Sequence, residues 1–348
     1  MQRYCPKTGG LGTDFFALNG LFSGNLRTKK LNNYVFKYAN RLSYAALCEN
    51  LSEIAHLKTT SAGLERAVII EAEHISAENA QEMSLRTVES PLSIAAASEI
   101  DIYSPRDKEI LLFYDAICVK KQCPFRKNNP NFAELSATKS KLLKRVNTNV
   151  AVLQLPDNQF IKLTEGLASK DFPAYSTIEL VAHTLRVNYA QEKEPLHVVG
   201  ITDGASSIRT DFTEKLSPLI CIILDWYHLK KKIKDLMSMI AINKIEKSAH
   251  IKLINNLLWH GKTDEVITYL ATINVKNTEV LEQLITYLEK HKAEIIDYDK
   301  RKKAGKTIGS GRGEKANDQL IGRRQKHKGI AWSDNGSKAL AIIATKYA

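Results

Sequence analysis

Three acidic side chains set out the chemistry this chain can do. The run LHVVGITDGASS, residues 196–207, is a stretch of β-formers that ends in Thr202-Asp203-Gly204, so a carboxylate is delivered where a buried strand gives way to a glycine turn. A second β-rich run, EILLFYDAICVKK, carries a lone acid, Asp115, between Tyr114 and Ala116. A carboxylate among such apolar neighbours is costly unless it is ligated or paired. Far downstream, KTIGSGRGEKANDQLIGRRQK sets Glu314 just after a Gly-Ser-Gly loop, near the start of a basic helix. Two strand carboxylates and one helix carboxylate are the oxygen donors that hard divalent cations take, and the three are expected to meet around metal ions. Asp225 and His228, three residues apart in LDWYHLKKK, begin a helix beside the same strand edge. Each residue also has a plainer reading. Asp203 is a good turn residue before glycine, Glu314 suits the first turn of a helix through its dipole, and Asp225 with His228 make an ordinary helix start.

The elements that must position these groups alternate between β and α signals. Strands are expected at residues 110–119, 150–155 and 160–164, the last two joined by a turn at Pro156-Asp157-Asn158. Residues 176–191 then place Ile178, Val181, Ala182, Leu185 and Tyr189 at helical spacing. Strands return at 197–202 and 219–224. After Asp225, the residues Leu229, Ile233, Leu236, Met237 and Ile240 form the apolar stripe of a helix whose wet face carries Lys230, Lys231, Lys232 and Lys234. Residues 244–298 read as about three further helices. Nearer the start, LSYAALCENLSEIA and LERAVIIEAEHISAE read as two short helices around a turn in which Thr59, Thr60 and Ser61 are candidate caps, the ingredients of a helix-turn-helix or of a plain helical hairpin.

The divisions that follow are an irregular segment at 1–40, a helical region with a linker at 41–106, an α/β core at 107–227, an all-helical insertion at 228–300 and a C-terminal region at 301–348. With 348 residues and 44% hydrophobic content the chain is long enough for a full core and more than one domain. Its formal charge is +12 and unevenly placed: residues 300–328 hold eleven Lys or Arg, and residues 120–145 hold eight. Clustering of this kind points to a polyanionic partner. The five cysteines form neither a CxxC pair nor a zinc quartet, which fits a reducing cytosol. LSPLICIIL, the most apolar run, is far short of a membrane span, and the first residues lack a signal-peptide pattern. A soluble cytoplasmic protein is expected.

Taken together, DGASS, DWYHL and GSGRGEKAN followed by GRRQKHKGIAW resemble the bacterial insertion-sequence transposases related to the Mutator-like group. The resemblance spans roughly residues 40–348 and rests most on the last motif. It implies a ribonuclease-H-like mixed sheet with an all-helical insertion and an N-terminal helical region. It also implies that Asp115, Asp203 and Glu314 are the DDE triad holding two Mg²⁺ or Mn²⁺ ions, with Asp225 and His228 as the D-x-x-H pair. The expected reaction is cutting and joining of DNA strands at element ends, with the ions about 4 Å apart serving the attacking and leaving oxygens. Lys230, Lys231, Lys315, Arg323, Arg324 and Lys326 are the expected contacts to DNA phosphates. A homo-oligomer on DNA is expected, since two ends must be paired. The chain departs from the pattern in Ala116, where glycine is common after the first acid, and in the isolated Cys5, where relatives carry paired cysteines. It also stops at Ala348 inside a helical pattern, as a shortened copy would. A catalytically idle DNA-binding relic and a nuclease of the same fold that hydrolyses without joining are the alternatives.

Overall fold

The computed structural model describes residues 22–23, 27–86, 92–122, 145–326 and 329–347. Most of the basic stretch at 120–145, together with Cys5 and Cys123, lies outside the described residues. The centre is a five-stranded mixed sheet of β1 (Ile110–Lys120), β2 (Arg145–Gln154), β3 (Phe160–Thr164), β4 (Val198–Thr202) and β5 (Cys221–Leu224). Their order across the sheet is β3-β2-β1-β4-β5. β1 to β3 run antiparallel, whereas β4 joins β1 in parallel and β5 joins β4 in parallel. The expected β3 bounds are those observed, and its hairpin with β2 turns at Asn158, which takes φ 66° and accepts a hydrogen bond from Gln154 Nε2 at 2.8 Å. All five residues of β4 are buried, as befits a parallel strand covered on both faces.

The period of two along β1 sorts its side chains between the faces. Leu112 and Tyr114 point to one face, where α4 (Thr177–Asn188) packs with Ile178, Val181 and Leu185. Ser176 caps α4 in a reciprocal box with Glu179. Leu111 and Phe113 point to the other face and meet the helices that follow β5: α6 (Trp226–Ile240), α7 (Lys244–Trp259), α8 (Thr263–Leu270) and α9 (Thr278–Lys290). Ile117 and Val119, farther along β1 on that second face, belong to a separate apolar cluster. It is built by α1 (Lys29–Ala39), α2 (Tyr44–Ala55), α3 (Ser61–Arg86) and α13 (Asp334–Tyr347). Asp115 therefore sits at the seam between two cores on one side of the sheet.

The N-terminal region differs from its sequence reading in two respects. The segment 1–40 is not irregular throughout, because α1 occupies Lys29–Ala39 with Thr28 as its cap and buries Val35, Phe36 and Ala39. Nor is the second of the two helices short, since α3 runs on to Arg86. Its Leu64, Ala67, Val68, Ala72 and Ile75 are buried in the cluster that includes α13, so the helical hairpin is part of the cover of the sheet. The turn itself follows expectation: His56 ends α2 at φ 51°, and the Thr60 hydroxyl accepts from the Gly63 N–H at 3.1 Å. Among the described residues no helix is long and apolar enough to cross a membrane.

Candidate functional site

Strand register brings three of the predicted acids to one edge. Phe113 is paired with Ile201 across β1 and β4, so Asp115 and Asp203 each lie two residues beyond that pair in the same direction. Thr202 is paired with Leu224 across β4 and β5, and the next residues are Asp203 and Asp225. Asp203 and Asp225 thus follow the carboxyl ends of β4 and β5, the place where open α/β sheets gather polar groups, level with Asp115 midway along β1. Glu314 arrives from α11 (Gly311–Asn317), which lies against β1. A Cβ on Gly313 would stand 3.0 Å from the Phe113 Cβ, so glycine is what lets helix and strand approach. One turn after Gly313, Asn317 Nδ2 donates to Asp115 Oδ2 at 2.6 Å. Asn317 was not anticipated. Its spacing of three from Glu314, which puts both on one helical face, was the available signal.

The three Asp side chains do different work. Asp203 is exposed, with one oxygen accepting the Ala205 N–H at 2.9 Å. Asp115 is half-buried, and burial followed by the neighbouring Asp203 charge raises its pKa, although the Ala116 N–H, His228 and Asn317 oppose this. Asp225 is 1% exposed and fully engaged within the protein. Its Oδ1 accepts the Tyr227 and His228 N–H groups at 2.6 and 3.0 Å, capping α6, and its Oδ2 accepts the Ser310 N–H. Burial alone would lift this carboxyl, but His228 and Ser310 outweigh it and hold it down at about 2. Asp225 was expected to act in the catalytic set; here it ties the start of α6 to the Gly-Ser-Gly loop that launches α11.

His228 stands between these groups. Its Nδ1 is 3.5 Å from Asp225 Oδ1, and its Nε2 is 3.9 Å from Glu314 Oε1. Asp225 first, then Asp203 and Glu314, raise its pKa against the opposing effect of burial, so the ring favours the imidazolium form more than a free histidine does. The loop before α11 is fixed from a second direction by Arg301, which is fully buried in α10 (Tyr298–Lys303). Its guanidinium holds Glu109 through Nη2 at 2.5 Å, and it donates to the carbonyls of Ile102 and Thr307.

The predicted cations divide. Lys230, Lys231, Lys315, Arg323 and Lys326 are exposed. Lys230 and Lys231 are on α6, Lys315 is beside Glu314, and Arg323 is paired with Asp318 at 3.1 Å. Arg324 is a correction. It is 3% exposed, with its guanidinium 4.7 Å above the Trp332 ring and Nε donating to the Ala39 carbonyl, so it packs the N-terminal helices onto the core and cannot reach a phosphate. Its neighbour in GRRQK points outward because adjacent helical residues diverge by about 100°.

Among the described residues, the group of three His or acidic ligands whose donor atoms all lie within 4.8 Å of one another is His260, Asp297 and Asp299, none of them among the predicted site residues. Its acids are already matched by Lys300 and Lys303. Asp115, Asp203 and Glu314 do not form such a group. The chain matches no family model, and no curated protein matches it.

Proposed function

We propose that this protein is a DDE transposase on a ribonuclease-H-like core, cutting DNA at the ends of a mobile element and joining those ends to target DNA. The observation that carries the reading is the arrival of Asp115, Asp203 and Glu314 around His228, from two adjacent strands and one helix. The sheet order, with three antiparallel strands followed by two parallel ones, supports the same reading.

The donor set fits two Mg²⁺ or Mn²⁺ ions held by Asp115, Asp203 and Glu314. Burial first, and then the neighbouring Asp203 charge, disfavour the ionised form of Asp115, and a divalent cation bound there would offset both. Bound there, the ions supply activation of the attacking hydroxyl and stabilisation of the leaving oxygen. The chain's own part is orientation and charge. Asn317 holds Asp115 Oδ2 at 2.6 Å and the Ala116 N–H holds Oδ1 at 2.7 Å, which together fix the orientation of the carboxylate. Asp225 keeps its two oxygens within the protein, fixes the loop before Glu314, and favours a protonated His228. When protonated, His228 offers a charged N–H to a scissile phosphate beside the strand edge. Lys230, Lys231, Lys315, Arg323 and Lys326 present cations to the flanking backbone, where contacts give affinity without reading sequence.

The test uses purified full-length protein, Mg²⁺ or Mn²⁺, and duplexes taken from the DNA flanking its gene. Nicking, followed by joining of a pre-cut 3′-hydroxyl end to a plasmid, is the expected result, with both steps lost in Asp203→Asn. DNA binding without cleavage in either metal, or cleavage that survives Asp203→Asn, overturns the proposal. Cleavage without joined product reduces it to a hydrolase.

A further inference from the structure

The turn that carries Asp203 packs against His291 and Glu294, from the helical segment beyond β5, which Arg209 joins in one charged cluster. The chain leaves α9 at His291 and makes a single turn over Lys292–Glu294. His291 is 2% exposed, and its Nδ1 lies 2.6 Å from Glu294 Oε2. Arg209 reaches the same pair, with Nη2 2.5 Å from Glu294 Oε1 and 3.0 Å from His291 Nδ1. These contacts fix the tautomer. If Nδ1 accepted from Arg209, its lone pair would face a carboxylate oxygen at 2.6 Å, which is repulsive. Nδ1 therefore donates to Glu294, and Arg209 binds the other carboxylate oxygen. The opposite edge of the ring faces Gly204, whose φ is 86°. A Cβ built there would lie 3.0 Å from His291 Cε1, 3.4 Å from its Nε2 and 2.9 Å from Leu224 Cδ1. Arg209 belongs to α5 (Ser206–Thr210), which begins two residues after Gly204.

The Asp203-Gly204 turn is thus bounded on one side by an imidazole ring and tethered on the other through α5. Both restraints end on Glu294. The surrounding groups are the Tyr287 ring, 4.6 Å from His291, and the carboxylates of Asp203 and Asp225. Tyr287 is pushed up to about 12, first by burial and then by Asp203, Glu294 and Asp225, which places this end of α9 within electrostatic reach of the strand-edge acids.

We propose that His291, locked by Glu294 and Arg209, is a positioning residue for Asp203, so that the helical segment sets the geometry of a metal-facing carboxylate it does not itself contain. The inference rests on the metal-binding reading of the site. Its test is Mn²⁺ affinity of the full-length protein without DNA, read by electron paramagnetic resonance, together with kcat and KM for nicking. His291→Ala is expected to weaken Mn²⁺ binding about tenfold and lower kcat by a similar factor, with KM for DNA within about twofold. His291→Asn, which keeps a donor near the Nδ1 position, is expected to recover most of both. A folded His291→Ala protein that binds Mn²⁺ like the parent, or an Asn variant as weak as the Ala variant, overturns the inference. If His291→Ala does not fold, Arg209→Gln carries the same test at a residue 31% exposed, and full Mn²⁺ affinity there overturns it. Unchanged Mn²⁺ binding in Asp203→Asn sinks the metal-site reading itself and this inference with it.

Discussion

Replacing Asp225 by Asn probes the junction on which Glu314 depends. The asparagine oxygen can still accept from the Tyr227 and His228 N–H groups, but its Nδ2 must face the Ser310 N–H, donor against donor. The cost follows from the titration of the native side chain. Asp225 is held at about 2 against a usual 3.8, which corresponds to about 2–3 kcal/mol of stability at neutral pH. Because the side chain is 1% exposed, solvent screening removes little of this. The sign follows from a carboxyl depressed in the folded state: its contribution is complete above the ordinary value and is lost as pH falls toward about 2. By pH 3 about 1 kcal/mol of it should be gone. Urea unfolding of native and Asp225→Asn protein at pH 7 and pH 3 measures both quantities. The expected difference is about 2–3 kcal/mol at pH 7 and visibly smaller at pH 3. A loss below about 1 kcal/mol at pH 7, or one that does not change with pH, refutes the assignment of Asp225 as the anchor of this loop.

Arg301→Ala removes a fully buried guanidinium from Glu109 and two carbonyls while Lys306 remains at 3.1 Å, and the expected loss is about 3 kcal/mol in urea unfolding. Gly204→Ala adds a Cβ 2.9 Å from Leu224 at a φ of 86°, and a fall of about 2–3 kcal/mol in stability is expected in the same assay. His228 has a raised pKa, so its pairing stabilises the fold fully below about 6.5 and loses that effect as pH rises through the raised value; His228→Gln should therefore cost stability at pH 6 and little at pH 9. Lys230→Ala and Lys231→Ala should each reduce the salt slope of DNA binding by about 1, measured by fluorescence anisotropy. Arg324→Ala should leave that slope unchanged and lower stability instead.

The core elements were legible because their signals are local. Phe160–Thr164 is a short run of β-formers after a turn triplet, the α4 box at Ser176 and Glu179 is written in sequence, and Asp225 precedes an unbroken apolar stripe. The whole length of α3 was not legible, because its polar residues are spread around the helix and no single apolar stripe marks Ser61–Arg86. It is covered at several points instead, by α13 along its first half and by Ala80 and Met83 against the α4 side. The acids of the site could be named from local signals: Asp203 at a strand end, Asp115 alone among apolar strand residues, and Glu314 in the first turn of a helix. Their partners could not, since Asn317, Glu294 and Arg209 acquire meaning only from contacts between residues far apart in the chain. Arg323 and Arg324 show the same limit: one basic pair in sequence becomes one solvent-facing cation and one core cation through helix rotation alone.

The helix α13 has a consequence for how the molecule assembles. Leu340, Ala341 and Ile343 are fully buried against helices from the first quarter of the chain, and Trp332 adds a backbone pairing to the end of β1 through Lys120 and Gln122. During synthesis α1 and α3 emerge early yet lack their main partner until residues near 340 are free of the ribosome. Closure of that half of the sheet is therefore a late, long-range event. Until it happens the strand carrying Asp115 has one apolar flank uncovered, so polypeptides released before α13 is made are expected to collect in aggregates or be degraded.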